Sequence, residues 1–180
     1  MRLALLLAAG ALALSGCGLR PLYGGGAAGP VQATLAAIQV APIEGQSGWL
    51  VSNALRDRLD AGADAAPRYR LEVKLDDTIA GLGVRSDDSV ARERRTLRAR
   101  YQLVDLASGQ VVLDATAGSD AGIDVVGSEY ATIAAEKSAL ERLSGIVADQ
   151  IVARVARFAQ SGSAAVPANV PALPAPTGGQ

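Results

Sequence analysis

Three stretches of this chain alternate apolar and polar residues with period two, and they restrict it to folds built on a sheet with one buried face. Over Tyr69–Asp77, the side chains of Tyr69, Leu71, Val73 and Leu75 point one way, and those of Arg70, Glu72, Lys74 and Asp76 the other. Leu97, Ala99, Tyr101 and Leu103 repeat the pattern, and Val111, Leu113, Ala115 and Ala117 give it a third time. Gly81 to Ser89, with two glycines and Asp87-Asp88, reads as a hairpin loop between the first two stretches. Ser108-Gly109 turns the chain before the third, so the three form an antiparallel meander.

Helical periodicity flanks the meander. After a loop around Gly122 and Gly127, Ser128 caps a long helix from about Glu129 to Ala159. Its stripe is Ile133, Leu140, Leu143, Val147, Ile151, Val155 and Phe158, broad enough to cover the apolar face of a sheet. Upstream, Leu35 to Ile43 is apolar and β-branched with Pro42 near its end, which predicts a first strand at or near the sheet edge. Ser47 caps a shorter helix over about Trp49–Leu59, with Leu50, Ala54, Leu55 and Leu59 on one face, and Ala61-Gly62-Ala63 and Pro67 stop it. The fold class implied is α+β: a two-layer sandwich with a mixed or antiparallel four-stranded sheet and two helices on one face, in the order β-α-β-β-β-α.

The start of the chain belongs to none of these elements. Arg2 is followed by an apolar run from Leu3 to Leu14 and then Ser15, Gly16 and Cys17. The run is shorter than the roughly 20 apolar residues an ordinary membrane-spanning helix needs, and it has the layout of a secretory signal peptide. Leu14-Ser15-Gly16-Cys17 resembles the lipobox of bacterial lipoproteins, whose Cys is acylated before the preceding peptide bond is cut. Cys17 is the single cysteine, so it has no disulfide partner. Acyl chains add about 0.8 kcal/mol per buried CH₂, so several chains anchor a protein firmly. Gly18 stands where enterobacterial retention signals place Asp, which points to the outer membrane. The expected organisation is a signal peptide over 1–16, a lipidated Gly-, Pro- and Ala-rich tether over 17–34, one domain over 35–160 and an Ala- and Pro-rich disordered tail over 161–180.

Composition removes several function classes. The chain has no His and no second Cys, so it lacks the commonest general base and the usual metal ligands. No Ser lies beside a candidate base, which leaves a lipid-anchored hydrolase without a site. No cofactor is called for. A formal charge of −1 gives no overall field to recruit nucleic acid, and 3% aromatic residues are too few for a base-stacking platform. Asp76-Asp77 and Asp87-Asp88 are read as strand-end and turn residues, not a cation site, because adjacent carboxylates on a strand point apart.

The densest charge is Arg92-Glu93-Arg94-Arg95-Thr96-Leu97-Arg98-Ala99-Arg100, at the entry to the second alternating stretch. In extended chain Arg92, Arg94, Arg98 and Arg100 share the uncovered side of the sheet, beside Glu72, Lys74 and Asp76. One reading is a solvated strand face neutralised by cross-strand pairs. The other is an anion grip, since the guanidiniums outnumber those carboxylates and guanidinium suits two-point contact with phosphate. Arg85 would extend such a patch. Glu129, Glu136, Lys137, Glu141 and Arg142 read as a hydrated helix face with no assigned role.

Taken together, Cys17-Gly18-Leu19-Arg20-Pro21-Leu22-Tyr23-Gly24, Tyr69-Arg70-Leu71-Glu72-Val73, the Arg-rich strand entry and Tyr130-Ala131 make the chain similar to the lipopolysaccharide-assembly lipoproteins of the LptE family, in their alphaproteobacterial form. The resemblance covers nearly all of the mature chain except the tail. It implies a sandwich of the kind outlined above, seated as a non-enzymatic plug in a large outer-membrane β-barrel, LptD. That pair inserts lipopolysaccharide into the outer leaflet. It further implies lipopolysaccharide binding through basic residues, for which Arg92, Arg94, Arg95 and Arg98 are the candidates. The competing expectation is an auxiliary lipoprotein of an ABC-type lipid transporter.

Overall fold

The computed structural model describes residues 30–59, 66–84, 90–125 and 127–161. The alternating stretches become a ladder whose register places like with like: Leu71 faces Leu103, Val73 faces Tyr101 and Leu75 faces Ala99. Across the next pair, Ala99 faces Ala117 and Leu103 faces Leu113. The elements run α1 (Pro30–Ala36), β1 (Ile38–Val40), α2 (Gly45–Leu59), β2 (Tyr69–Val84), β3 (Val90–Asp105), β4 (Val111–Asp124) and α3 (Glu129–Ser161). In space the strands lie in the order β1-β2-β3-β4; β1 pairs parallel with β2 and the other pairs are antiparallel.

The odd-numbered row of β2, β3 and β4 faces the helices. Leu71, Leu97, Ala99, Tyr101 and Leu103 are buried there, against Leu140, Leu143, Val147, Ile151 and Val155 of α3. Burying a side chain of that size contributes about 1.5–3 kcal/mol, so this seam is the main source of stability. α2 packs beside α3 and touches β1 and β2, while α3 covers β3 and β4. At one end Tyr69 meets Phe158 edge-on, with ring centroids 6.3 Å apart. The α+β sandwich with a four-stranded mixed sheet and its helices on one face is as expected. No described helix is long and apolar enough to cross a membrane.

Three local differences have physical causes. The strand expected over Leu35–Ile43 is only Ile38–Val40, preceded by a helix. Val31 and Leu35, one helical turn apart, are both buried in the core on α3, so this short segment gains more as a helix than as strand or tether. α2 begins at Gly45, whose φ of +79° supplies a left-handed residue at its start, so Ser47 lies inside the first turn. Finally, β2 runs on to Val84 and β4 to Asp124, through glycines whose local propensity predicts a loop. Pairing with β3 along its whole length holds both in extended form.

Local chemistry sets the other boundaries as expected. Asp105 Oδ1 accepts hydrogen bonds from the amides of Ala107 (2.8 Å) and Ser108 (3.1 Å), and Gly109 takes φ +69° to close the turn into β4. At the start of α3 the carbonyl of Ser128 accepts from the amides of Ala131 and Thr132. In the α3 stripe, Ile133 departs from expectation: it is 55% exposed, as is Ile79 on the helix-facing row of β2 at 44%. Thr132, next to Ile133, is buried in its place, so the buried stripe of α3 shifts by one position in the first turn. The expected signal peptide, Cys17, most of the expected tether, Arg85, Asp87-Asp88 and the expected tail from residue 162 lie outside the described residues.

Candidate functional site

The described helices lie on one side of the sheet, so the even-numbered rows of β2, β3 and β4 form its other surface. Arg92, Arg94, Arg98 and Arg100 stand on it, exposed, as the alternation of an extended chain dictates. Their surroundings differ from expectation because β4 carries its own acidic row. Arg92 Nε lies 2.9 Å from Asp124 Oδ1, directly opposite in register. Arg94 faces Gly122 and reaches diagonally to Asp120, at 3.8 Å. Arg100 faces Thr116 and reaches Asp114, at 2.9 Å. Exposed pairs of this kind contribute about 0–1 kcal/mol each, but together they cancel most of the positive charge.

The tightest part of this surface is around Asp114, which also accepts from Gln102 Nε2 at 2.9 Å. Gln102 is wholly buried although it belongs to the outer row. The hydrogen bonds from Arg100 and Gln102 hold the Asp114 carboxyl below the usual carboxylate range, and the same partner raises the Arg100 guanidinium.

Arg98 is different. It stands opposite Asp76 on β2 and Gly118 on β4, and it lies across the glycine. A Cβ on Gly118 would sit 2.8 Å from Arg98 Cδ and 3.4 Å from its Nη1. Gly118 thus provides the bed for the Arg98 stem, and among the described residues Arg98 forms no ion pair or hydrogen bond. It is the one guanidinium of this row whose charge is unanswered.

Arg95, grouped with Arg92, Arg94 and Arg98 as a lipopolysaccharide candidate, is not brought together with them. Its odd position turns it to the helix side, where Nε and Nη2 hold the two oxygens of Asp77 at 2.9 and 2.7 Å. Nη1 donates to the carbonyl of Glu136 at 3.1 Å, tying β2, β3 and α3 together. The fork on Asp77 raises the Arg95 guanidinium further above its ordinary range. Side-chain exposures of 13% and 19% leave this pair little access to a large anion.

The partners missed in the sequence are Asp114, Asp120 and Asp124. Their signal was present, since the alternation of Val111, Leu113, Ala115 and Ala117 continued by twos puts all three on the polar row. Beyond Ala117 the loop expected around Gly122 and Gly127 masks it. Among the described residues no group of three or more His, Cys, Asp or Glu is placed to hold a metal ion.

Comparison with known proteins bears on this arrangement. A lipoprotein from Caulobacter crescentus superposes with a TM-score of 0.61 at 23% identity, over 74% of this chain and 97% of that one. Lipoprotein B from Nitrosomonas europaea gives 0.53 at 14% identity, over 71% and 90%. Rare lipoprotein B from Shewanella oneidensis gives 0.50 at 12%, over 68% and 98%. These likenesses establish a shared fold. No curated protein matches the chain. The family model LptE, described as lipopolysaccharide-assembly, matches residues 35–155, from the end of α1 through the buried stripe of α3. With the sheet, most of its covering helix and the polar outer row inside that match, the chain belongs to the LptE lipopolysaccharide-assembly family.

Proposed function

We propose that this protein is a non-enzymatic outer-membrane lipoprotein, anchored through acylated Cys17, that plugs the LptD barrel and assists delivery of lipopolysaccharide to the outer leaflet. Family membership supports the lipopolysaccharide-assembly role. The observation that carries the finer reading is the outer row of the sheet: no described helix covers it, it is polar, and three of its arginines, Arg92, Arg94 and Arg100, are paired in the plane of the surface. Such a surface suits a barrel lumen, which is itself polar.

Within this role, Arg98 is the foremost candidate to contact a lipid A phosphate, with Arg92 and Arg94 flanking it. Its guanidinium requires no release from a carboxylate before it can grip an anion, whereas Arg92 and Arg94 must exchange Asp124 and Asp120 for the ligand.

The test is a gentle-detergent pull-down of the tagged, full-length lipoprotein from its own outer membrane, with mass spectrometry of what stays bound. Recovery of the large lipopolysaccharide-assembly barrel in near-equal amount is the expected result. Recovery of ABC-transporter or substrate-binding subunits in its place replaces this reading with the auxiliary-transporter one.

A further inference from the structure

β4 is the last strand of the sheet, and Gly118 shows which way its backbone points. The Gly118 amide donates to Gln150 Oε1 at 3.0 Å, and Gln150 Nε2 donates to the Gly118 carbonyl at 3.3 Å. Both groups of Gly118 therefore point away from β3. By the alternation of an antiparallel ladder, those of Thr116, Asp120 and Gly122 point the same way. No partner for these outward groups occurs among the described residues. The primary amide of Gln150, turning one N–H and its carbonyl oxygen to Gly118, occupies it as the backbone of a fifth strand would.

The edge is also flanked by unanswered positive charge. Two grooves, of about 570 and 690 Å³, meet along it and share Thr116 and Gln150. Lys74 and Arg98 line the one on the outer face of the sheet, and Arg154 and Arg157 line the one beside α3. Lys74, Arg98 and Arg154 form no ion pair or hydrogen bond among the described residues, and Arg157 donates only to the carbonyl of Ala153. Of the carboxylates in the two grooves, Asp149 is held by Arg58 at 2.6 Å and Asp76 alone is unengaged.

We propose that the edge of β4 is a docking strand for an extended, acidic segment of a partner polypeptide, which pairs with the backbone from Thr116 to Asp124 and displaces Gln150 from Gly118. An added strand sends alternate side chains to the two faces of the sheet, and cations wait on both at the end with Thr116 and Gly118, while Asp120 and Asp124 farther along are answered by Arg94 and Arg92. The segment that fits therefore carries carboxylates on each side at that end. The inference is independent of the barrel reading, because it concerns the chemistry of the partner strand and not its source.

The experiment titrates the mature full-length protein, in detergent, with a Thr- and Glu-rich peptide of about nine residues, long enough at ~3.3 Å per residue to span Thr116 to Asp124. Its Lys-for-Glu counterpart is the control, and amide hydrogen exchange is followed along β4. The expected result is binding of the acidic peptide alone, with new protection of the Thr116, Asp120 and Gly122 amides. Gln150→Ala should tighten it several-fold, and Arg154→Glu should weaken it roughly tenfold. Gly122→Pro should abolish it without unfolding the sheet: a Cβ there meets nothing within 4 Å, and the lost amide points away from β3.

Equal binding of both peptides, or binding indifferent to Arg154→Glu and Gly122→Pro, overturns the proposal. So does protection that arises without peptide as the protein dimerises, which makes a second copy the occupant. Protection by lipopolysaccharide alone overturns it in favour of the glycolipid. If Gln150→Ala provokes self-association yet neither peptide binds, Gln150 only blunts an edge.

Discussion

Arg95 grips Asp77 with two parallel hydrogen bonds on the helix side of the sheet, while its sequence neighbour Arg94 stands on the opposite side and reaches toward Asp120. Side-chain parity therefore separates a structural arginine from the surface ones. Removing either partner leaves a largely buried charge alone, so Arg95→Ala and Asp77→Ala should each cost about 1–3 kcal/mol in chemical denaturation, with the double mutant costing less than their sum. Lipopolysaccharide binding by folded Arg95→Ala should be unchanged. A large selective loss of that binding would return Arg95 to the ligand site.

Charge reversal on the outer row separates ligand contacts from cross-strand pairing. Arg94→Glu combined with Arg98→Glu should keep the barrel complex and lose lipopolysaccharide, with most of the loss already present in Arg98→Glu alone. Arg92→Glu should have the smaller effect, since Asp124 already neutralises Arg92. Unchanged binding in a surface-capture assay would leave only the pairing role.

Gly48 is confined by backbone. A Cβ there would sit 2.6 Å from the carbonyl oxygen of Ile43, which cannot rotate aside as a side chain can. Gly48→Ala should destabilise the fold by about 1–3 kcal/mol, seen as a lower thermal midpoint, although alanine normally favours a helix.

Tyr101 gives the fold an alkaline limit. Burial pushes its phenol above the ordinary value of 10.0, with Arg154 and Arg157 opposing the shift in part. A group whose pKa is raised on folding contributes fully below its unfolded pKa, and that contribution is lost as pH rises through the folded value. Stability should therefore decline above about pH 10. Tyr101→Phe should flatten that decline in urea titrations at successive pH values.

Asp105 and Asp114 act at the other end. The first is held low chiefly by the amide of Ser108, the second by Arg100. Depressed carboxylates stabilise above their unfolded pKa and lose that effect as pH falls through the folded one. Acid unfolding should therefore begin as pH drops below about 4, less steeply in Asp105→Asn and Asp114→Asn.

What could be read from the residues alone was whatever repeats over several turns or several pairs. Tyr69, Leu71, Leu97, Tyr101 and Leu103, and the stripe from Leu140 to Val155, were legible because each is one instance of a sustained period matched by a facing element. α1 was not, since seven residues hold only Val31 and Leu35 as a signal, and its helicity comes from docking on α3. The far halves of β2 and β4 were hidden by Gly81, Gly118 and Gly122, where local propensity argues for a turn and pairing with β3 overrides it. Asp120 and Asp124 went unseen as partners for the same reason. The arginine row itself was correctly placed on the uncovered face, but its neutralisation depends on which residues sit diagonally across the ladder, and register is a tertiary property.

Because β3 and β4 are complete by Asp124 while the side chains that cover them arrive only with α3, folding of this chain is decided by its latest segment. A polypeptide cut short before Leu143 would hold out Leu97, Ala99, Tyr101 and Leu103 as a flat apolar plate with an open strand at its border, the combination that nucleates aggregates and attracts proteases. A truncating change near the start of α3 should therefore leave no usable remnant, however much of the sheet had already been made.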